Sequence, residues 1–74
     1  MPEAAGLELV VEQLDCADEA AQIEAAVGRL AGVIEVRPSV GSRKVVVHYQ
    51  PDRIGPADIQ AAIERLGMTV RHGG

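Results

Sequence analysis

The 74-residue sequence predicts an α+β domain in which four strands and two helices alternate in the order βαββαβ. Residues 23–30 (IEAAVGRL) recur as residues 59–66 (IQAAIERL), and both copies space their apolar residues at helical intervals. Each copy is followed by a glycine and then by a strand that contains valine, so the chain has two strand–helix–strand units. Two short amphipathic helices need one apolar surface to bury against. We therefore expect a ferredoxin-like sandwich, with a four-stranded antiparallel sheet and both helices on one of its faces.

The first unit contains a strand, a loop, a helix and a second strand. Residues 7–12 place leucine or valine at every second position, which is typical of a strand. Residues 13–16 form a loop, and residues 17–30 are predicted to be a helix that Gly32 closes in the left-handed conformation. The buried face of this helix is predicted to be Ala20, Ile23, Val27 and Leu30. Residues 33–37 read as the second strand.

The second unit follows a turn over residues 38–43, which is rich in proline, glycine and serine. Residues 44–49 are rich in β-branched side chains and predict a strand that forms a hairpin with the one before it. A second helix is predicted to start at Gly55-Pro56, because proline suits the first helical position, and to end at Gly67. Its buried stripe is predicted to be Ile59, Ala62, Ile63 and Leu66. Residues 68–71 form a short last strand.

Length and composition restrict the possible functions. We expect one domain over residues 1–74, with a core over about residues 7–71. A loose lead-in (1–6) precedes this core, and residues 72–74 are a frayed tail or the start of a linker. A net charge of −4 argues against a nucleic-acid partner. No apolar run reaches the roughly 18 residues that cross a bilayer, so direct membrane insertion is not expected. A single cysteine suits a reducing, cytoplasmic compartment.

The chemistry of the chain is concentrated where the first strand gives way to the first helix. Asp15, Cys16, Asp18 and Glu19 follow one another there, and these acidic groups repel unless a cation joins them. Cys16 and Glu19 are three residues apart and share one helix face, and Asp15 directly precedes them. We therefore predict Asp15, Cys16 and Glu19 as ligands of a divalent metal ion, with Asp18 solvated. The alternative is that the acids are helix-dipole partners and the cysteine is a small buried residue.

Other potential ligands and catalytic groups are less favoured. His48 lies in the middle of a predicted strand and His72 in the predicted tail, so neither is expected at the site. Met68 is expected to act as an apolar lid rather than as a thioether ligand. No enzyme activity is expected, because the sequence around Cys16 offers no second cysteine or histidine and the chain has no phosphate-cradling glycine-rich loop.

Several motifs are spaced along the chain in a recognisable series. They are residues 13–19 (QLDCADE), 23–27 (IEAAV), 30–33 (LAGV), 45–49 (VVVHY) with the following Pro51, and 59–67 (IQAAIERLG). Over about residues 7–70 this series resembles the heavy-metal-associated (HMA) domain of soluble metallochaperones and of the cytosolic extensions of heavy-metal P-type ATPases. In that family a Gly-Met-x-Cys-x-x-Cys loop precedes a helix with Ile-Glu-x-Ala-Leu and then a Gly-Val step.

The metal loop departs from the family pattern. Glu19 stands at the position of the second cysteine, and Gln13 and Leu14 replace the glycine and methionine. Family members that handle Cu(I) use two thiolates, whereas one thiolate with two carboxylates suits Zn(II). An acid beside the first cysteine, here Asp15, also resembles the branch of ATPases that exports Zn(II), Cd(II) and Pb(II).

The resemblance therefore implies binding and transfer of a divalent heavy-metal ion through an Asp-Cys-x-x-Glu site. The expected ion is Zn(II), with Cd(II), Pb(II) and Co(II) as possible substitutes, and Cu(I) is disfavoured. The membrane or catalytic domains of a metal-transporting ATPase are the implied partners. The alternative is a docking or regulatory domain that has kept the fold and lost metal binding.

Overall fold

The computed structural model describes residues 4–72 and confirms the predicted order of elements. These elements are β1 (Ala5–Val11), α1 (Ala17–Gly28), β2 (Val33–Ser39), β3 (Lys44–Tyr49), α2 (Pro56–Glu64) and β4 (Val70–His72). All strand pairs are antiparallel and the order across the sheet is β2-β3-β1-β4, so the predicted ferredoxin-like sandwich is confirmed. No helix within residues 4–72 has the length and apolar character that a membrane span requires.

The ends of β1 and β4 differ from the prediction. β1 begins at Ala5 because β3 offers a pairing partner that early: Ala5 lies opposite Tyr49. Residues 1–3 of the predicted lead-in lie outside the described residues. β4 starts at Val70 rather than at residue 68, and it includes His72, which pairs with Leu9. The prediction of a frayed tail is therefore wrong for His72, and residues 73–74 lie outside the described residues.

Both helices end earlier than their apolar spacing predicted. α1 stops at Gly28 with Arg29 as its C-cap, and α2 stops at Glu64 with Arg65 in the same position. The chain beyond Arg65 turns toward Gly67, whose φ is +89°, and so leaves the helical phase. Leu66 is consequently 36% exposed, and its assignment to the buried stripe is wrong.

β2 is longer than predicted and has an irregular start. It continues through Pro38, which is tolerated because β2 is an edge strand and hydrogen-bonds to a neighbour on one side only. The register with β3 shifts between Val33 and Glu35, so that Ile34 forms a bulge and is 56% exposed.

The hydrophobic core fills the space between the sheet and the two helices. It consists of Leu9, Val11, Leu14, Ile23, Val27, Val45, Val47, Tyr49, Ile54, Ile59, Ala62, Ile63, Met68 and Val70. At the end where α1 meets β2, Gly32 has φ +97°, and a Cβ there would lie 2.9 Å from both Arg53 Cβ and Ile54 Cγ2. Glycine is therefore required by both the backbone angle and the packing at this position.

Candidate metal centre

The loop between β1 and α1 is anchored in the core by Leu14. This side chain is fully buried, although the residues on either side of it are exposed. The Leu14 N–H donates to the Val11 carbonyl (3.1 Å) and the Asp15 N–H donates to the Gln13 carbonyl (3.0 Å), so the chain turns sharply at the end of the strand. Leu14 thus fixes the loop from below while the next two residues face solvent.

Cys16 occupies the N-cap of α1. Its backbone is extended (φ −152°, ψ 168°), and its carbonyl accepts the first helical hydrogen bond from the Ala20 N–H at 3.3 Å. The cysteine side chain makes no cap hydrogen bond and is exposed, so the thiol remains accessible to solvent. The alternative of a small buried cysteine does not match this position.

The structure brings Asp15, Cys16 and Glu19 together. One ligand atom from each of the three lies within 4.8 Å of the others. The Cys16 thiol donates to Glu19 Oε1 at 2.6 Å, which the i, i+3 spacing on one helix face allows. Asp15 and Cys16 are exposed and Glu19 is half-buried.

The charge around this cluster is negative. Asp18 and Glu19 lie in the first turn of α1, where the helix dipole favours acids. Within residues 4–72, none of the ion pairs involves Asp15, Asp18 or Glu19; the acids that do pair with basic groups are Glu12 and Glu35. A soft thiol and two carboxylates therefore converge at an exposed loop that favours the approach of a cation.

The remaining predicted candidates lie in other surroundings. His48 Nδ1 is 3.6 Å from Glu35 Oε1, a residue of the neighbouring strand, on the sheet face opposite the core. His72 is held in β4 opposite Leu9. Met68 is 7% exposed and is part of the hydrophobic core. Among the described residues, the group whose ligand atoms lie together contains Asp15, Cys16 and Glu19 and neither histidine.

Sequence reasoning missed one interaction beside the cluster. Gln13 Oε1 accepts a hydrogen bond from the Thr69 N–H at 2.6 Å, and Gln13 Nε2 donates to Thr69 Oγ1 at 3.1 Å. The sequence signal was the replacement of the family glycine by Gln13, to which no role was given. The contact ties the loop before α1 to the segment between α2 and β4.

Comparison with known proteins places this geometry in context. The model of the heavy-metal-associated domain matches residues 8–69. Over 62 residues the chain is 32% identical to copper-transporting ATPase 2 of Homo sapiens; the match covers 84% of this chain and 4% of that protein. The chain thus spans a small fraction of the length of this relative.

Solved structures give the same picture. A putative copper-ion-binding protein from Bacillus anthracis str. Ames has a TM-score of 0.89 at 30% identity, and the match covers 96% of this chain and 100% of that one. The N-terminal domain of a potential copper-translocating P-type ATPase from Bacillus subtilis, in its Cu(I)-loaded state, has a TM-score of 0.91 at 25% identity, with 97% and 90% covered. Oxidized MerP from Ralstonia metallidurans CH34 shares the fold, with a TM-score of 0.90 at 17% identity over 97% of this chain and 100% of that one.

The prediction that the site prefers Zn(II), Cd(II), Pb(II) or Co(II) and disfavours Cu(I) is wrong. The relatives are described as copper-transporting or copper-binding, and one of the solved domains carries Cu(I). The prediction started from the donor atoms of this chain, in which Cys16 is the single thiol and the other two donors are carboxylates. The count of thiolates in this chain was therefore not enough to predict the metal.

Proposed function

The chain belongs to the heavy-metal-associated domain family, and on that premise we propose that it binds Cu(I) and passes it to another protein through Cys16. The observation that supports this proposal is the convergence of Asp15, Cys16 and Glu19 within 4.8 Å on an exposed loop. The metal is cargo in this proposal, and the chain carries out no chemical transformation.

Each ligand type has a different role in the proposed site. Cys16 supplies the soft thiolate that Cu(I) prefers. Glu19, which already accepts the hydrogen bond from the thiol at 2.6 Å, supplies a hard carboxylate that binds Cu(I) weakly. Asp15 adds negative charge on the exposed side of the loop. The ion is then held firmly by one atom only, and a second thiolate, from the receiving protein or from a small thiol, completes the coordination.

The acidic surroundings favour a particular kind of partner. A surface that carries Asp15, Asp18 and Glu19 attracts a basic patch and speeds its encounter with the loop. Two copies of this chain that met at their loops would bring the same acids together, and like charges in contact disfavour that complex. We therefore propose transfer to a different protein rather than the formation of a metal-bridged pair.

The chain covers only a small part of its relative, so its context is also a proposal. We propose that it is a carrier or a terminal module on the cytosolic side of a copper-transporting ATPase. For a free carrier the receiving surface is on the transporter, a different protein; for a terminal module it is on the membrane or catalytic domains of the same transporter rather than on a second copy of this chain.

The test is an anaerobic titration with Cu(I) in competition with a chromophoric Cu(I) chelator, in the presence and absence of glutathione as a second thiol. The unmodified chain is expected to take up one Cu(I), with higher affinity when glutathione is present. Cys16→Ser is expected to lose at least about tenfold in affinity, because the only thiolate is removed. Glu24→Gln, an exposed acid on the same helix outside the cluster, serves as the matched control and keeps the original affinity.

Two results would contradict the proposal. If Cys16→Ser binds Cu(I) as well as the unmodified chain does, the loop is not the metal site, and the docking or regulatory alternative is favoured. If sedimentation shows that Cu(I) converts the chain into a dimer, the second ligand comes from another copy, and the preference for a different partner is refuted.

A further inference from the structure

Thr69 is hydrogen-bonded by two consecutive residues of the metal loop. The Glu12 N–H donates to the Thr69 carbonyl at 3.1 Å. The Thr69 N–H donates to Gln13 Oε1 at 2.6 Å, and the Thr69 hydroxyl accepts from Gln13 Nε2 at 3.1 Å. Three hydrogen bonds therefore join the segment that follows β1 to the residue that precedes β4, although the two are far apart in the sequence.

The amide side chain of Gln13 acts here as an additional peptide group. The backbone pairing of β1 with β4 ends at Val11 and Val70. Glu12 extends it by one backbone bond to Thr69, and the Gln13 amide then supplies the acceptor that the next peptide unit would have supplied. Because the side chain completes the pairing, the backbone of Gln13 is free to turn and direct Leu14 into the core.

We propose that Gln13 is a positioning residue for Cys16. The cysteine lies three residues beyond Gln13, and its side chain has no cap hydrogen bond of its own. The Gln13–Thr69 contact and the buried Leu14 side chain together fix the segment that leads to it. Glycine, which the family pattern has at position 13, has no side chain with which to make this contact, so a chain that follows that pattern lacks the restraint. A restrained loop presents the thiol to an incoming metal ion in one orientation and slows the loss of the ion.

The effect of Gln13 on metal release rests on the proposed function, whereas the restraint of the loop by Gln13 can be tested without metal. The tested variants are Gln13→Ala, which removes both side-chain bonds, and Thr69→Val, which removes only the hydroxyl acceptor. Thr69→Ser keeps the hydroxyl and serves as the conservative variant. Gln60→Ala is the matched control, because Gln60 is also bonded through its amide, to Glu64 Oε2 at 3.3 Å within α2, away from the loop.

The first measurement is amide hydrogen exchange of the metal-free chain at Thr69 and at the loop residues through Cys16. Gln13→Ala is expected to speed exchange at these amides by about fivefold to tenfold, which is the effect of losing one or two exposed hydrogen bonds. Gln60→Ala is expected to leave them unchanged. If Gln13→Ala does not change exchange at these amides, the restraint does not exist in solution and the proposal is refuted, whatever the metal titration shows.

The second measurement is the rate at which Cu(I) passes from the loaded chain to an excess of chelator. Gln13→Ala is expected to release the ion about threefold to tenfold faster, Thr69→Val less so, and Thr69→Ser at the original rate. Urea unfolding of each variant separates this effect from a loss of global stability. If Gln13→Ala speeds amide exchange but leaves Cu(I) release unchanged, the contact is only structural and the positioning role is refuted.

Discussion

Replacement of Leu14 tests whether the packing of this side chain in the hydrophobic core anchors the metal loop. Leu14→Ala removes most of a side chain that is fully buried, two residues before Cys16. Truncation of a buried leucine costs about 2–5 kcal/mol, which combines the lost transfer free energy with the cavity that remains. A domain of this size has a total stability of about 4–11 kcal/mol, at about 0.05–0.15 kcal/mol per residue. The single change therefore removes a large part of the free energy of unfolding.

The assay is equilibrium unfolding in urea, followed by thermal unfolding. For Leu14→Ala we expect the midpoint temperature to fall by at least about 8 °C, since each kcal/mol corresponds to about 4–8 °C in a domain of this length. Leu14→Met, which conserves volume and restores the residue of the family pattern, is expected to cost less than about 1.5 kcal/mol. Leu66→Ala is the matched control at a position that is 36% exposed, and it is expected to cost less than Leu14→Ala. An equal cost for Leu14→Ala and Leu66→Ala would refute the role of Leu14 as the anchor of the loop.

Three further predictions concern the ligand set, a tight loop and a surface ion pair. Glu19→Cys restores a second thiolate and is expected to raise Cu(I) affinity at least about tenfold in the chelator competition; an unchanged affinity would contradict the assignment of this position to the site. Gly32→Ala places a Cβ 2.9 Å from its neighbours at a positive φ, and it is expected to lower the free energy of unfolding in urea by about 2–4 kcal/mol. Gly67→Ala also has a positive φ but no atom within 4 Å of the new Cβ, so it is expected to cost about 1–2 kcal/mol. Equal costs would refute the close packing at Gly32. Arg71→Ala removes the exposed ion pair with Glu12 (3.4 Å) and is expected to change the free energy of unfolding by less than about 1 kcal/mol, and by less still in high salt. A larger loss of stability would contradict the assignment of this pair as a weak surface interaction.

Much of the fold could be predicted because its signals are local. The internal repeat located both helices, and the β-branched run of residues 44–49 located β3 with both ends correct. The errors lie where tertiary structure decides. Leu66 continues the helical spacing in the sequence, yet the turn toward Gly67 removes it from the buried face. Pro38 signals a turn, yet an edge strand accommodates it because only one side needs hydrogen bonds.

The candidate site could be predicted only in part. The proximity of Cys16 and Glu19 follows from helical geometry, and their spacing alone was enough to predict it. The hydrogen bonds between Gln13 and Thr69 join distant parts of the sequence, and no local pattern indicates them. The metal could not be predicted from the ligand set of this chain: it has a single cysteine, yet its relatives are described as copper-transporting or copper-binding.

The position of β1 in the sheet has a consequence for the way in which the loop moves. β1 is bonded along both sides, to β3 and to β4, whereas β2 lies at an outer border. Local opening of a protein begins where bonds are fewest, so transient fraying should affect the edge strands β2 and β4 before it reaches β1. The loop that carries Cys16 therefore follows an inner strand that opens late, and in the proposed transfer the Cys16 side chain can move while the sheet beneath it stays closed.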